Sequence, residues 1–223
     1  MKLLAVDAST SSGSVALLDG EELVAEFTFH GGGKHSETLL TAIGTVCTMG
    51  RIDVKAVDAF AVTRGPGSFT GLRVGISVVK GLAWSSDKPV IGVSTLMSLA
   101  MNVPCTDGAV CPILNARRGE IYGGLYRWDK GCLEVVRDDC AVAPEAFMEK
   151  VDGTTLFLGD GIDVCGGLIR ERFGGARLAP PYLWDIRASN VGRIALTRVT
   201  EGVGASEILP LYKRRMGAST GVS

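Results

Sequence analysis

The same order of elements can be read twice along this chain, and that repetition restricts its fold more than any single residue does. Residues 3–8 and 14–18 read as strands, and Asp19-Gly20 signals a hairpin into 22–29. After the glycine run 31–33, Leu39, Leu40, Ile43, Val46 and Cys47 recur at helical spacing up to Gly50. A strand over 57–63, a helix reaching Trp84, a short strand 90–92 and a helix started by Ser94 complete the first set. The second set has strands at 110–114, 120–127 and 133–137, with turns at 117–119 and 129–131. A helix from Pro144, a strand 155–158, the turn Gly159-Asp160-Gly161, a helix to about 173 and an amphipathic helix from about 189 follow. Two successive β-β-β-α-β-α units predict an α/β protein of two related lobes. The first spans 1–103. The second, 104–215, is smaller and truncated, and 216–223 reads as a disordered tail.

The junction 58–84, DAFAVTRGPGSFTGLRVGISVVKGLAW, is the most informative segment. A strand, a Gly-Pro-Gly turn and a helix in that order direct free backbone N–H groups outward, as an anion or partner site requires. The loop is a near miss for two known patterns. Gly65-x-Gly67-x-x-Thr70 lacks the third glycine of a dinucleotide fingerprint, and no Lys-Ser/Thr pair follows as in a P-loop. In the helix, Leu72, Ile76, Val79 and Ala83 form one apolar row and Val74, Val78 and Leu82 another. Gly71, Gly75, Ser77 and Gly81 add small residues four apart. A helix apolar or small nearly all round is buried on more than one side. Both a central core helix and a helix with one face on a partner satisfy that pattern.

Composition excludes several classes. With 223 residues, 46% hydrophobic, 21% charged and a net charge of -1, no global field draws the chain to nucleic acid or anionic membrane. Arg117-Arg118 and 213–215 are local basic spots that read as solvated surface. The apolar stretch after Lys2 ends at Asp7, too soon for a signal-peptide core, and nothing approaches the ~18 apolar residues of a membrane span. The six cysteines, Cys47, Cys105, Cys111, Cys132, Cys140 and Cys165, contain no C-x-x-C pair and read as reduced thiols of a cytoplasmic protein.

Catalytic groups are scarce. His30 and His35 are the only histidines, five apart, whereas two ligands on one helix need i, i+4 spacing. His35 reads as a helix-start or interface residue. Ser68 sits in a glycine-rich turn without the G-x-S-x-G elbow, and Cys47 or Cys111 would need a base that the sequence does not reveal. An ATPase of two such lobes needs acidic strand ends for Mg²⁺. Asp7 is at one such end, but the corresponding position of the second lobe is Asn115. A lone carboxylate is a poor metal site, and Asp7 equally fits a strand-end turn residue.

LLAVDAS at the start, His35-Ser-Glu-x-x-Leu40, Arg64-Gly-Pro-Gly-Ser-Phe-Thr-Gly-Leu-Arg73, Lys80-Gly-Leu-Ala83, Pro89-Val-Ile-Gly-Val-Ser-Thr-Leu96, Asn115-Ala-Arg-Arg-Gly-Glu-Ile-Tyr122 and Gly159-Asp-Gly161 occur in one order. Together they resemble the bacterial TsaB family, formerly called YeaZ, over nearly the whole chain and most closely over 1–125. The resemblance implies two RNase H-like lobes of the actin-like ATPase (sugar kinase/Hsp70/actin) superfamily with a degenerate nucleotide cleft. It implies a non-catalytic relative of TsaD, whose H-x-x-x-H helix binds a metal; here Leu39 stands where the second histidine would be.

Further implications are a TsaD-like catalytic partner, a TsaE-like ATPase recruited to the pair, and threonylcarbamoyl transfer to N6 of adenosine 37 in tRNAs reading ANN codons. tRNA would be met through the complex, and the isolated chain would be a homodimer. The family's partner surface lies on the first two helices, here about 36–49 and 70–84. Candidate interface residues are His35, Leu39, Leu40, Ile43, Val46, Leu72, Ile76, Val79 and Ala83. The motif loop of Arg64, Gly65, Pro66, Gly67, Ser68, Phe69, Thr70, Gly71 and Arg73 is a candidate shared nucleotide contact. Asp7, Asn115 and Arg117 would line the vestigial cleft, with Asn115 replacing the family's usual Asp. No catalytic residue, no metal and no tightly bound cofactor is expected, with room for ATP or ADP only at a shared subunit interface. A small-molecule kinase or ATPase of the same fold, which Mg-ATP binding would reveal, and a metallopeptidase, which metal analysis would reveal, are the competing readings.

Overall fold

The computed structural model describes residues 1–30, 35–104, 106–151 and 153–212. The glycine run 31–33, Cys105, the basic spot 213–215 and the tail 216–223 lie outside the described residues, as does the side chain of His35.

The chain forms two compact units: Met1–Asn102 with Asp185–Leu211, and Val103–Trp184 with Tyr212. In the first, β1 (Lys2–Asp7), β2 (Ser12–Asp19) and β3 (Glu22–His30) make an antiparallel meander, turned at Gly20 with φ +58°. β4 (Ala59–Gly65) and β5 (Val90–Ser94) join in parallel, giving the order β3-β2-β1-β4-β5. β1 is central, and its residues from Leu3 to Asp7 are all buried, as a strand covered on both faces must be.

Alternate residues of β1 serve opposite layers. Leu4 and Val6 pack into the core under α1 (His35–Met49) and α2 (Phe69–Ser86). Leu3 faces α6 (Ala188–Leu196), where a methyl group on Gly192 would collide with the Leu18 and Leu3 side chains. α3 (Thr95–Ala100), capped by Ser94 Oγ accepting from Met97 N at 3.1 Å, shares the α6 side.

The second unit is built from β6 (Ala109–Arg117), β7 (Glu120–Asp129), β8 (Cys132–Val142), α4 (Pro144–Met148), β9 (Leu156–Leu158), α5 (Ile162–Arg172) and β10 (Arg177–Leu178). Its sheet order is β10-β9-β6-β7-β8, and α4 and α5 cover a core that includes Ile113, Ile121, Phe147, Phe157 and Ile169.

One boundary differs from the sequence expectation of 104–215 for the second lobe. The segment Asp185–Leu211 returns to the first unit. Its helix α6 buries Ala188, Val191, Ile194 and Ala195 against the sheet face carrying Leu3 and Leu18. Beyond α6 the chain runs back along the parallel strands. Val203 exchanges backbone hydrogen bonds with Val90 at 2.9 and 3.0 Å, and Leu211 N donates to the Arg64 carbonyl at 2.5 Å. Helical amphipathicity foretells an apolar face but not which sheet that face will cover.

Candidate functional site

The motif loop emerges where β4 ends. Thr63 is buried, and the ladder to β5 is irregular between Thr63 and Gly65. Gly65 takes φ +122°, a conformation that side chains resist, and the Gly65–Pro66 bond is cis. The Leu211 carbonyl lies where a Cβ on Gly65 would be. Ser68 N then donates to the Ser9 carbonyl at 2.7 Å, and Ser68 Oγ accepts from Gly71 N at 3.3 Å, capping α2.

Gly67 and Gly71 lie against the carbonyls of Ser9 and Ala8, so close that a methyl group on either would overlap them. A Cβ on Gly75 would sit 3.3 Å from the Ala8 Cβ. The small residues of the first two turns of α2 therefore admit the β1–β2 turn of the same unit. At the exposed end, the Arg73 guanidinium lies 3.8 Å from the centroid of the Phe69 ring.

Asp7 ends β1 directly beneath this loop. Its carboxylate is fully buried. Oδ1 accepts from Ser9 N at 3.2 Å, Ser9 Oγ at 2.6 Å and Thr63 Oγ1 at 2.6 Å.

The candidate interface residues need correction. Leu39, Ile43, Val46, Leu72, Ile76, Val79 and Ala83 are all buried within the first unit, most of them in the core beneath the sheet, so their side chains cannot form a contact surface. The row of Leu72, Ile76, Val79 and Ala83 is a core row, and Val74, Val78 and Leu82 lie half-buried beside it. The outer faces carry other residues. On α1 they are Leu40, Thr41, Gly44 and Thr48; on α2 they are Phe69, Thr70, Arg73, Ser77, Gly81 and Trp84, the indole being 78% exposed. Beyond their own helices, no described residue lies within 4 Å of where a Cβ would stand on Gly44 or Gly81. Of the expected set, only Leu40 belongs to this outer face among residues whose side chains are described.

In the second unit, Asn115 and Arg117 shape the β6–β7 hairpin. Arg118 and Gly119 both have positive φ, as a two-residue turn between twisted strands demands. Asn115 Oδ1 accepts from Arg117 N at 2.8 Å, a bond that the usual Asp could accept equally well. The carboxylate of this corner is Asp160, the middle residue of the Gly159-Asp-Gly161 turn that also belongs to the family motifs. Its Oδ1 accepts from Asn115 N at 2.9 Å. Burial pushes the Asp160 carboxyl above its ordinary value and Asp163 adds to that, against the opposing Asn115 N–H.

The thiols suggested as nucleophiles are unsuited to attack. Burial raises Cys47 and carries Cys111 well above the usual thiol range; Cys165, which was not a candidate, is likewise pushed up to about 11. Among the described residues, no three His, Cys, Asp or Glu side chains come together to hold a metal ion. No described helix is long and apolar enough to cross a membrane.

Residues 30–164 match the family model described as TsaD: tRNA N6-adenosine threonylcarbamoyltransferase. The tRNA threonylcarbamoyladenosine biosynthesis protein TsaB of Bacillus subtilis (strain 168) is 36% identical over 180 residues, which cover 78% of this chain and 77% of the relative. The chain belongs to the TsaB family. Among solved TsaB-type structures, YeaZ from Pseudomonas aeruginosa is 31% identical with a TM-score of 0.81, over 95% of this chain and 99% of that one. An activator of 2-hydroxyisocaproyl-CoA dehydratase from Clostridium difficile, solved with bound ADPNP, has a TM-score of 0.52 at 12% identity, over 95% of this chain and 99% of that one. At that identity the likeness is one of fold. This chain thus shares the fold of that activator, and family membership ties it to threonylcarbamoyladenosine biosynthesis in tRNA.

Proposed function

We propose that this protein is a non-catalytic partner subunit of the assembly that forms N6-threonylcarbamoyladenosine at position 37 of tRNAs reading ANN codons. It pairs with a TsaD-like catalytic subunit, the pair recruits a TsaE-like ATPase, and tRNA is met by the complex rather than by this chain alone. Such work is cytoplasmic. The carrying observation is the outer face of α1 and α2. Small residues (Gly44, Ser77, Gly81) occupy the middle of each exposed row, and large ones (Leu40, Phe69, Trp84) stand toward the ends. A glycine-lined face lets another helix approach closely, and apolar bulk at the ends supplies area to bury. In isolation the same face would pair with a second copy, because exposed apolar groups of this size favour association.

A second reading, an independent ATPase, has the ADPNP-bound activator in its favour as a fold relative. Against it stands Asp7, whose Oδ1 already serves three donors in a fully buried position. Nucleotide therefore belongs, in this proposal, only to a site completed by another subunit.

The test is co-purification of the full chain with the cognate TsaD-like protein, followed by assay of tRNA modification with and without this chain. Co-elution with modification dependent on this chain supports the reading, and independence from it overturns the reading. Low-micromolar Mg-ATP binding by the isolated protein, about 8 kcal/mol, would favour the ATPase instead.

A further inference from the structure

Asp7 occupies the strand end at which a nucleotide-binding relative would hold metal, yet its environment serves another purpose. Two donors to Asp7 Oδ1 are hydroxyls at 2.6 Å, the short range of charge-assisted O–H···O⁻ bonds. One, Thr63, is the last residue of the continuous buried run Ala59–Thr63 in β4, immediately before the motif loop. The other, Ser9, gives its backbone carbonyl to Ser68 N, and Ser68 caps α2. Only two hydrogen-bond steps separate the carboxylate from the first turn of the helix. Gly67 and Gly71 complete the closure by resting on the backbone of Ser9 and Ala8.

We propose that Asp7 is a positioning residue: through Ser9 and Thr63 it latches the 65–71 loop and the start of α2 in the geometry that meets a partner. The inference rests on the partner-subunit reading for its consequence, but the latch itself is a property of the isolated chain. The carboxylate is fully buried, and both short hydroxyl bonds fall on its Oδ1. Its present chemistry is that of an internal acceptor.

The deciding comparison is Thr63→Val against Thr63→Ser in the full chain. Valine keeps the shape and removes the donor, whereas serine keeps the donor and removes a methyl group. A packing role ranks valine above serine, and a latch ranks them in reverse. Amide hydrogen exchange is measured over 66–72 and, as an internal control, over β6–β8; affinity for the TsaD-like partner is measured alongside. A lost hydrogen bond to a charged group should raise exchange over 66–72 by about tenfold or more and weaken partner binding by a similar factor in Thr63→Val. Thr63→Ser should stay within about twofold of the parent.

The reverse ranking, or a rise no greater over 66–72 than over β6–β8, overturns the proposal. If Thr63→Val does not fold, Ser9→Ala, which removes the other short hydroxyl donor to Asp7 Oδ1, decides: faster exchange confined to 66–72 supports the latch, and an unchanged pattern refutes it. If the parent protein fails to bind the TsaD-like partner, the partner-subunit reading falls while the exchange ranking still decides the latch.

Discussion

The Ser68 N–H donates to the Ser9 carbonyl at 2.7 Å, so the turn after the central strand and the residue that caps α2 form one hydrogen-bonded corner. The strand-turn-helix junction owes its shape to this corner as much as to its own glycines.

Gly71→Ala should destabilise the protein, because the added methyl falls on the Ala8 carbonyl oxygen, and neither backbone can yield cheaply. Overpacking of this kind costs about 1–3 kcal/mol. Urea unfolding followed by circular dichroism measures the loss, and an unchanged midpoint would contradict the tight packing described.

Gly81→Ala on the same helix should do the opposite. The position is exposed with open space above it, so alanine gains about 0.5–1 kcal/mol from helix propensity. Gly81→Glu should likewise keep the melting transition while weakening pairing with a TsaD-like partner or a second copy. Sedimentation and melting curves on the same samples separate the two effects.

Ile43→Glu and Ile76→Glu should unfold the first unit rather than merely release a partner. Both side chains are buried in the core shared by α1, α2 and the sheet, where an unpaired carboxylate costs several kcal/mol. Loss of the cooperative transition is expected; a folded monomer from either variant would restore the sequence-based view that these rows face outward.

Asp160 should make the second unit sensitive to pH. Folding raises its pKa, so its contribution to stability is fully present below the unfolded pKa and is lost as pH rises through the folded one. Asp160→Asn retains an acceptor for Asn115 N and removes the half-buried charge. The variant should match or exceed the parent in stability at about pH 7, with the difference shrinking toward about pH 3. Hydrogen exchange over β6 at the two pH values checks the sign.

Most elements were legible because their signals are local. Alternation and Gly-containing turns located the strands, and Ser94 and Pro144 marked helix starts that the structure retains. What periodicity could not decide was which of two apolar rows on α2 meets the sheet. A helix between its own sheet and a neighbouring protein gives the same pattern as one between two halves of a core. The glycines misled for a related reason. Gly71 and Gly81 look alike in sequence, yet one abuts the Ala8 carbonyl and the other meets empty space. That Asp160 is a half-buried, hydrogen-bonded carboxylate was not legible, because its partner, the Asn115 N–H, is a backbone group 45 positions away. The placement of α6 depends on contacts with strands more than 160 residues earlier, as Ser189 N donating to Glu26 Oε1 at 2.8 Å shows.

The return of Asp185–Leu211 to the first unit has a consequence for biosynthesis. A chain emerging from the ribosome can form both elements of the second unit's core, sheet and helices, while the first still lacks α6 and the strands' final backbone partners at Val203 and Leu211. The sheet face holding Leu3 and Leu18 stays uncovered until residues 188–196 have been made. Because domains ordinarily fold as units in order of synthesis, the half translated first is here the half finished last. Prematurely terminated chains of this protein should expose an apolar sheet face and be prime substrates for chaperones and proteases.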